Sequence, residues 1–175
     1  MKLAVQDSGK RHARHSEQVI LFSIARRTFA IAAESVQEIR STDSLAGAAS
    51  ELEQEEVAKV HHIIERARRT YYVVSGCAHF RLPVTRPTLA LILRQFRVAV
   101  LVDEIERIAE IPAVYALPRG FVGEERAWYR GLAYLEDHII PVVNPGGFLT
   151  RDEFDRLDAV VRSLESQHQM EGAAQ

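Results

Sequence analysis

The chain has 175 residues, of which 47% are hydrophobic and 26% are charged, and its formal net charge is −2. Such a composition allows a globular core, and the near-neutral charge argues against a dedicated nucleic-acid or membrane-surface protein. The single cysteine, Cys77, excludes an internal disulfide framework. No stretch approaches the roughly 20 apolar residues that span a bilayer, so we expect a cytoplasmic protein without direct membrane insertion.

The N-terminal part of the chain changes from a polar tail to a predicted β-hairpin. Residues 1–17 are polar and basic, and we expect them to form a disordered, solvated tail. Order is predicted from Gln18, because residues 19–24 are rich in β-forming side chains. After a short polar turn, residues 28–32 supply the partner strand of the hairpin. Residues 36–39 are predicted to leave the sheet as an irregular or short helical segment.

The rest of the first half is predicted to contain strands around an acidic segment. Residues 43–59 favour a helix or a mobile loop, because alanine and glutamate dominate them. Further strands are predicted at residues 60–64, 70–75 and 77–82. Pro83 and Pro87 mark a seam, at which a first lobe (about residues 18–84) meets a second lobe (about residues 85–149). Sharing of strands between the two lobes stays open. Together the lobes are predicted to form one domain.

The second half repeats the pattern of the first at a fixed distance. Residues 29–39 align without a gap with residues 98–108, which lie 69 positions later. Two more pairs of segments keep this offset: 20–24 with 89–93, and 72–75 with 141–144. Because one offset links three separated pairs of segments, we interpret the chain as an internal duplication that gives two similar β-lobes.

The second lobe is predicted to end in a helix that packs on the sheets. Its strands are predicted at residues 88–93, 98–102, 132–135 and 138–143. Asp103 and Glu104 interrupt the alternation of the second of these strands, and the isoleucines that follow recur every third residue. Residues 150–168 predict an amphipathic helix, with Thr150 as its N-cap and an apolar stripe along one face. Residues 169–175 are predicted to form a frayed tail.

No catalytic residue, cofactor site or metal site is predicted. The sequence contains no phosphate-binding glycine loop, dinucleotide-binding motif or nucleophile elbow. His61 and His62 are adjacent in a predicted strand, so their side chains face opposite ways. Cys77 and His79 would share a face, but further ligands at zinc-like spacing are missing. The glutamates of residues 51–56 are interpreted as a solvated face.

One aromatic pair stands out because it lies in a predicted loop. Trp128 and Tyr129 are followed directly by Arg130. Two interpretations stay open for this group: the rings cap the end of a barrel, or they anchor a protein interface.

Several short motifs occur in a specific order and spacing. They are QVILFSI at 18–24, FAI at 29–31, VQEIR at 36–40, RVAVLVDEI at 97–105, YRGLA at 129–133 and HIIPVVN at 138–144. Together these motifs resemble the CheW-like domain of bacterial chemotaxis coupling proteins. The resemblance covers about residues 18–149, which is nearly all of the chain that we expect to be ordered.

The resemblance implies a mainly β fold of two pseudo-symmetric five-stranded β-barrel lobes, followed here by the C-terminal α-helix. It also implies a non-enzymatic adaptor, which couples a CheA-type histidine kinase to the cytoplasmic tips of methyl-accepting chemoreceptors. The contact to the kinase would be made through the regulatory domain of the kinase. By this resemblance Val36 falls in the receptor groove, with Glu38 and Arg40 beside it.

The chain departs from the family pattern in the first lobe. The Asn-Leu-Arg-Gly turn of the family falls on residues 65–68, and the signalling arginine of that turn has no direct equivalent unless Arg66 or Arg68 replaces it. Tyr72 and Ser75 stand where the pattern has proline and aspartate. These departures predict a specialised adaptor of a second chemosensory or motility system.

Two other functions stay open on the sequence. A small-molecule or metal-binding β-module would use the seam between the lobes, and a ligand would then raise the melting temperature. A hydrolase with an unrecognised site would show activity on ester or phosphate substrates, and we expect none.

Overall fold

The computed structural model describes residues 16–46, 49–52 and 57–172. The strands are β1 (Glu17–Ile24), β2 (Arg27–Ala32), β3 (Val36–Ser41), β4 (Ala49–Glu51), β5 (Val60–Arg66), β6 (Arg69–Ser75), β7 (Leu89–Leu93), β8 (Val98–Val102), β9 (Glu104–Ile111), β10 (Tyr129–Leu135) and β11 (His138–Val143). The helices are α1 (Thr42–Ala46), α2 (Gly76–His79), α3 (Glu125–Trp128) and α4 (Arg151–Gly172), and 3-10 turns lie at Ala33–Ser35 and Pro145–Gly147.

Each of the two sheets combines strands from both halves of the chain. The first sheet has the order β10-β11-β2-β1-β9, and the second has the order β3-β7-β8-β6-β5-β4. Each half therefore places its first hairpin, β1–β2 or β7–β8, in the sheet that contains the later strands of the other half. The parallel pairings β2–β11 and β6–β8 exchange the hairpins between the segments 18–84 and 85–149, so the two lobes share strands, the alternative that the sequence left open.

The backbone register repeats between the two sheets in detail. Val142 lies opposite Ala30 in the first sheet, and Val73 lies opposite Ala99 in the second, at positions related by the 69-residue offset. A β-bulge also recurs at equivalent places, between Val60 and His62 and between Tyr129 and Gly131. The internal duplication that the sequence indicates is therefore present in the fold.

One pair of strands departs from the common offset. Ile31 of β2 pairs with Ile20, whereas the equivalent Val100 of β8 pairs with Leu91, and not with Leu89 as the sequence alignment suggests. The turn between β7 and β8 is longer than the two-residue turn between β1 and β2, which moves the strand by two positions. A shift of two residues keeps every side chain on its face of the sheet, so the core pattern is unchanged.

Three apolar clusters fill the molecule. Alternate residues of β1 divide between them, because side chains alternate along a strand: Val19 and Leu21 lie inside the first sheet, whereas Ile20 and Phe22 pack between the sheets. A third cluster, which includes Ile92 of β7, lies inside the second sheet. The largest cluster is the one between the sheets, and it holds the two lobes together.

The predicted mainly β fold, with two pseudo-symmetric five-stranded units and a C-terminal helix, is confirmed. The word barrel is too strong, since within residues 16–46, 49–52 and 57–172 no continuous ladder closes either sheet. An isolated bridge between Tyr115 and Leu132 brings the chain after β9 to β10. The short strand β4 adds a sixth strand to the second sheet.

Several local predictions were wrong. Residues 36–41 form strand β3, and residues 104–111 form strand β9, in which a bulge opposite Leu21 and Phe22 puts Ile105 and Ile108 on the same face although they are three residues apart. Residues 77–82 do not form a strand, because Ser75 caps α2 by accepting a hydrogen bond from the amide of Ala78.

Two predicted boundaries also change. Strand β1 includes Glu17, and helix α4 continues to Gly172, beyond the predicted end at residue 168. Within the acidic segment 43–59, α1 and β4 replace a single helix or loop. Glu53, Glu55 and Glu56 of that segment lie outside the described residues, as do residues 1–15 of the predicted tail.

The C-terminal helix α4 is fixed to the second sheet by polar and apolar contacts. Thr150 and Glu153 form a capping box, in which each side chain accepts a hydrogen bond from the backbone amide of the other. Asp158 accepts hydrogen bonds from Arg97 at 2.7 Å and from the hydroxyl of Tyr72. Leu157 is fully buried in the cluster between the sheets, so the helix is part of the core.

Asp103, which directly follows β8, connects the β1–β2 hairpin to the segment between the two halves of the chain. Its carboxylate accepts hydrogen bonds from the backbone amide of Ala25 at 2.7 Å and from the hydroxyl of Thr85 at 2.5 Å. The thiol of Cys77 lies 3.2 Å from that same hydroxyl. One carboxylate thus fixes the exchanged hairpin against the segment that joins the two halves.

We expect Asp103→Ala to lower the free energy of unfolding by about 1–3 kcal/mol, because two donors lose their acceptor in a partly buried place. Urea denaturation of the purified chain measures this change. Glu104→Ala is the control, since the exposed Glu104 side chain should contribute less than about 0.5 kcal/mol. Equal effects of the two substitutions would contradict the role of Asp103.

Candidate functional site

Strand β3 carries the residues that the family resemblance assigns to the receptor groove. Val36 is only 7% exposed and packs in the cluster between the sheets. Glu38 and Arg40, which alternate with Gln37 and Ile39, are half-buried. Because β3 is an end strand of the second sheet, this segment combines a buried anchor with accessible charges.

Glu38, Arg40 and Arg66 form one ionic cluster, which we call the Glu38 triad. The Nε of Arg40 donates a hydrogen bond to Glu38 at 2.6 Å, and Arg66 pairs with the other carboxylate oxygen. The hydrogen bond from Arg40, and then the charge of Arg66, hold the pKa of the Glu38 carboxyl below its usual range. The triad joins the opposite ends of the second sheet, since Arg66 is the last residue of β5.

The structure distinguishes the two arginines of the divergent turn. Arg66 reaches Glu38, whereas Arg68 lies in the turn with a φ of 61° and makes no ion pair with another described residue. Glu38 corresponds by the 69-residue offset to Arg107, which pairs with Glu136 at 2.9 Å on the first sheet. Glu136 corresponds to Ala67 and not to Arg66, so the two ion pairs are neighbouring and do not coincide in the repeat, while the charge at the equivalent positions Glu38 and Arg107 is opposite.

The aromatic pair near residue 128 is less exposed than its predicted loop suggests. Trp128 is 5% exposed at the end of α3, and its ring packs 5.0 Å from that of His79. Tyr129 is half-buried and stacks on Phe80 with 5.8 Å between ring centroids. Arg130 forms a bidentate ion pair with Glu17. For Trp128 the geometry agrees with a ring that caps the lobe.

His79 is a buried titratable group that the sequence analysis did not recognise as such. Its ring packs against Phe80, Trp128 and Phe148, and neither ring nitrogen has a hydrogen-bond partner among the described residues. Burial, and then the charge of Lys59, lower the pKa of His79 to about 3. The cap at Ser75 is the sequence signal that would have placed His79 in a short buried helix.

Metal-ligand clusters and membrane-spanning helices are the features that would indicate other functional classes. Within residues 16–46, 49–52 and 57–172, no three His, Cys, Asp or Glu side chains converge as metal ligands. Cys77 is buried and lies beside Thr85, whereas His61 is exposed. None of the helices in this part of the chain is long and apolar enough to cross a membrane.

A comparison of the sequence with models of known protein families identifies the family of the chain. The sequence model described as "CheW-like domain" matches residues 18–153. The chain belongs to the CheW-like domain family. This match includes β3 with the Glu38 triad, both exchanged hairpins and the first residues of α4.

A solved structure agrees with the CheW-like fold. The crystal structure of the scaffolding protein TtCheW from Thermoanaerobacter tengcongensis is similar, with a TM-score of 0.61 and 15% sequence identity. The similarity covers 74% of this chain and 89% of that chain. At this identity the likeness supports the fold alone. A comparison with curated proteins gives no match.

The burial of His79 predicts a specific sensitivity to acid. The folded state keeps the imidazole neutral, whereas the unfolded chain binds a proton below its ordinary pKa of 6.5. The contribution to stability is therefore complete above pH 6.5 and is lost as the pH falls towards 3, by up to about 1.4 kcal/mol per pH unit.

We expect His79→Phe to remove this part of the pH dependence between pH 6.5 and pH 4.5. Urea denaturation of the wild-type and variant chains over this pH range measures the difference in slope. His61→Gln, at an exposed position, serves as the control and should keep the wild-type slope. An unchanged slope in His79→Phe would show that His79 is not the responsible group.

Proposed function

We propose that the chain is a non-enzymatic scaffold that couples a CheA-type histidine kinase to the cytoplasmic tips of methyl-accepting chemoreceptors, in chemotaxis or a related motility pathway. The observation that carries this proposal is the CheW-like family match over residues 18–153, which includes nearly the whole described fold. The scaffold acts in the cytoplasm and reaches the membrane only through its receptor partners.

The physical form of the molecule supports a binding role. End strands of sheets leave backbone donors and acceptors that a partner can cover, and β3 and β9 are such strands here. Ile108 on β9 is 66% exposed, so this edge also offers apolar area. Adaptor contacts of this kind need shape complementarity and an apolar anchor, over roughly 1,000 Å² for each interface.

We propose that the Glu38 triad forms the receptor-facing surface and that Arg66 takes the role of the missing turn arginine. Arg66 approaches Glu38 and Arg40, whereas Arg68 does not. With two cations and one carboxylate, the triad has a net positive charge and suits an acidic residue on the receptor. Val36 contributes by anchoring β3 in the core.

We propose a second interaction surface, for the kinase regulatory domain, around Tyr129 and Arg130. Tyr129 keeps part of its ring accessible, and Arg130 is exposed while it pairs with Glu17. Trp128 supports this surface from below, because its ring is buried under Arg81 at 5.3 Å.

The test is a binding experiment with the cognate kinase regulatory domain and a receptor-tip fragment. We expect the full chain to co-elute with each partner at tens of micromolar. Arg66→Glu should lower the affinity for the receptor-tip fragment by about tenfold or more, because it reverses a charge in the triad. The affinity of the Arg66→Glu chain for the kinase regulatory domain should stay within about twofold of the wild-type value. Size-exclusion chromatography and titration calorimetry measure these values.

Arg68→Glu is the matched control, since it makes the same charge change in the same turn without a contact to Glu38. A melting temperature close to that of the wild type shows that each variant remains folded. If Arg68→Glu lowered the affinity for the receptor-tip fragment and Arg66→Glu did not, the assignment of Arg66 would be wrong. Failure of the wild-type chain to bind either partner would reject the coupling function.

A further inference from the structure

The first sheet carries an open groove of about 630 Å³. Phe29 of β2, Phe80 after α2 and Pro141 of β11 contribute apolar lining, while Arg27 contributes a cation. Ile139, which also lines the groove, is 57% exposed. The groove thus combines apolar and polar lining, with the exposed Ile139 and with the cationic side chain of Arg27 at the start of β2.

The internal duplication identifies the counterpart of this groove on the second sheet. Tyr72 and Arg97, which hold helix α4 through Asp158, correspond by the 69-residue offset to Pro141 and Thr28. Pro141 and Thr28 both line the groove. The surface that α4 covers on the second sheet is therefore open on the first.

Other residues of the groove also have counterparts on the second sheet at the 69-residue offset. Arg107, which lines the groove, corresponds to Glu38 on the second sheet, and its partner Glu136 corresponds to Ala67, the residue next to Arg66. Ile139 corresponds to Thr70, a polar residue. Since the same fold position accepts threonine, the fold itself does not require the exposed isoleucine there.

The ion pair that holds α4 on the second sheet can be compared with the charged side chains of the groove on the first sheet. On the second sheet, Asp158 of the helix meets the guanidinium of Arg97 at 2.7 Å. On the first sheet the corresponding Thr28 donates its hydroxyl to Glu106. The side chain of the neighbouring Arg27 forms no hydrogen bond or ion pair with another described residue, although its charge acts on Tyr129. A cation that can pair with a carboxylate is therefore available one position away.

We propose that this groove is a docking site for an amphipathic α-helix of a partner protein, which carries a carboxylate that pairs with Arg27. The helix is the occupant because a helix covers the counterpart surface in this chain. The α4 helix of a second copy is not the occupant, since the apolar stripe of α4, with Leu157 fully buried, is already used on the second sheet. The proposal does not depend on the receptor surface, and the groove shares Tyr129 with the proposed kinase surface.

A synthetic peptide of residues 150–168 is a suitable probe, because its stripe and its Asp158 are known to fit the counterpart surface. Nuclear magnetic resonance titration of the isotope-labelled full chain should show shifts at the amides of Phe29 and Ile139, with a Kd below about 1 mM. The affinity is weak because a free peptide of this length must first become helical.

A charge exchange tests the predicted pair directly. Arg27→Glu in the chain, or Asp158→Lys in the peptide, should each weaken binding by about fivefold or more, and the two changes together should restore it. Ile139→Asp should weaken binding, whereas Thr70→Asp at the counterpart position should leave it unchanged. Melting temperatures confirm that the variant chains are folded.

Three results would overturn the proposal. The first is the absence of shifts at the groove up to about 1 mM peptide. The second is a set of shifts around Tyr72 and Arg97, which would mean that the peptide only exchanges with α4. The third is concentration-dependent broadening of groove signals without peptide, which would make a second copy of the chain the occupant.

Discussion

The exchange of hairpins between the two halves is the constraint on which the rest of the structure depends. The parallel pairings at Val142 with Ala30 and at Val73 with Ala99 place each first hairpin in the opposite sheet. Neither sheet can therefore form from one half of the chain alone. The cluster between the sheets, to which β1, β2, β7 and β8 all contribute, follows from this exchange. Asp103 secures it at the seam, because its carboxylate holds the β1–β2 turn and Thr85 together.

The two lobes share the duplicated backbone fold but differ in the side chains at their surfaces. Glu38 pairs with Arg66 in one lobe and Arg107 pairs with Glu136 in the other, so the equivalent positions 38 and 107 carry opposite charges. One lobe is covered by α4 and the other keeps an open groove. Such divergence suits a scaffold, because a common core supports two different sets of contacts. The proposed receptor surface and the proposed helix groove lie on different sheets, so both can be occupied by different partners.

The sequence predicted the duplication and the class of the fold, because alternation of apolar residues survives in both halves and the offset is constant. It left the sharing of strands between the lobes open, since the same alternation results whether a hairpin pairs within its own half or with the other. The bulge in β9 made a strand resemble a three-residue repeat. The contact between Glu38 and Arg66 depends on how the ends of the second sheet meet, which no local pattern contains. The burial of His79 was missed because residues 77–82 were interpreted as a further strand, whereas Ser75, the last residue of β6, caps the helix α2.

Native-state hydrogen exchange measures the central claim most directly, because it reports the free energy of opening for each backbone amide. The amides of Ile20 and Phe22 in the first sheet and those of Leu91 and Ile92 in the second are the ones to compare. If the exchanged hairpins make the two lobes one cooperative unit, these amides should converge on a single free energy and a single denaturant dependence. Two separate values, one for each sheet, would show that the lobes open independently and would contradict the account.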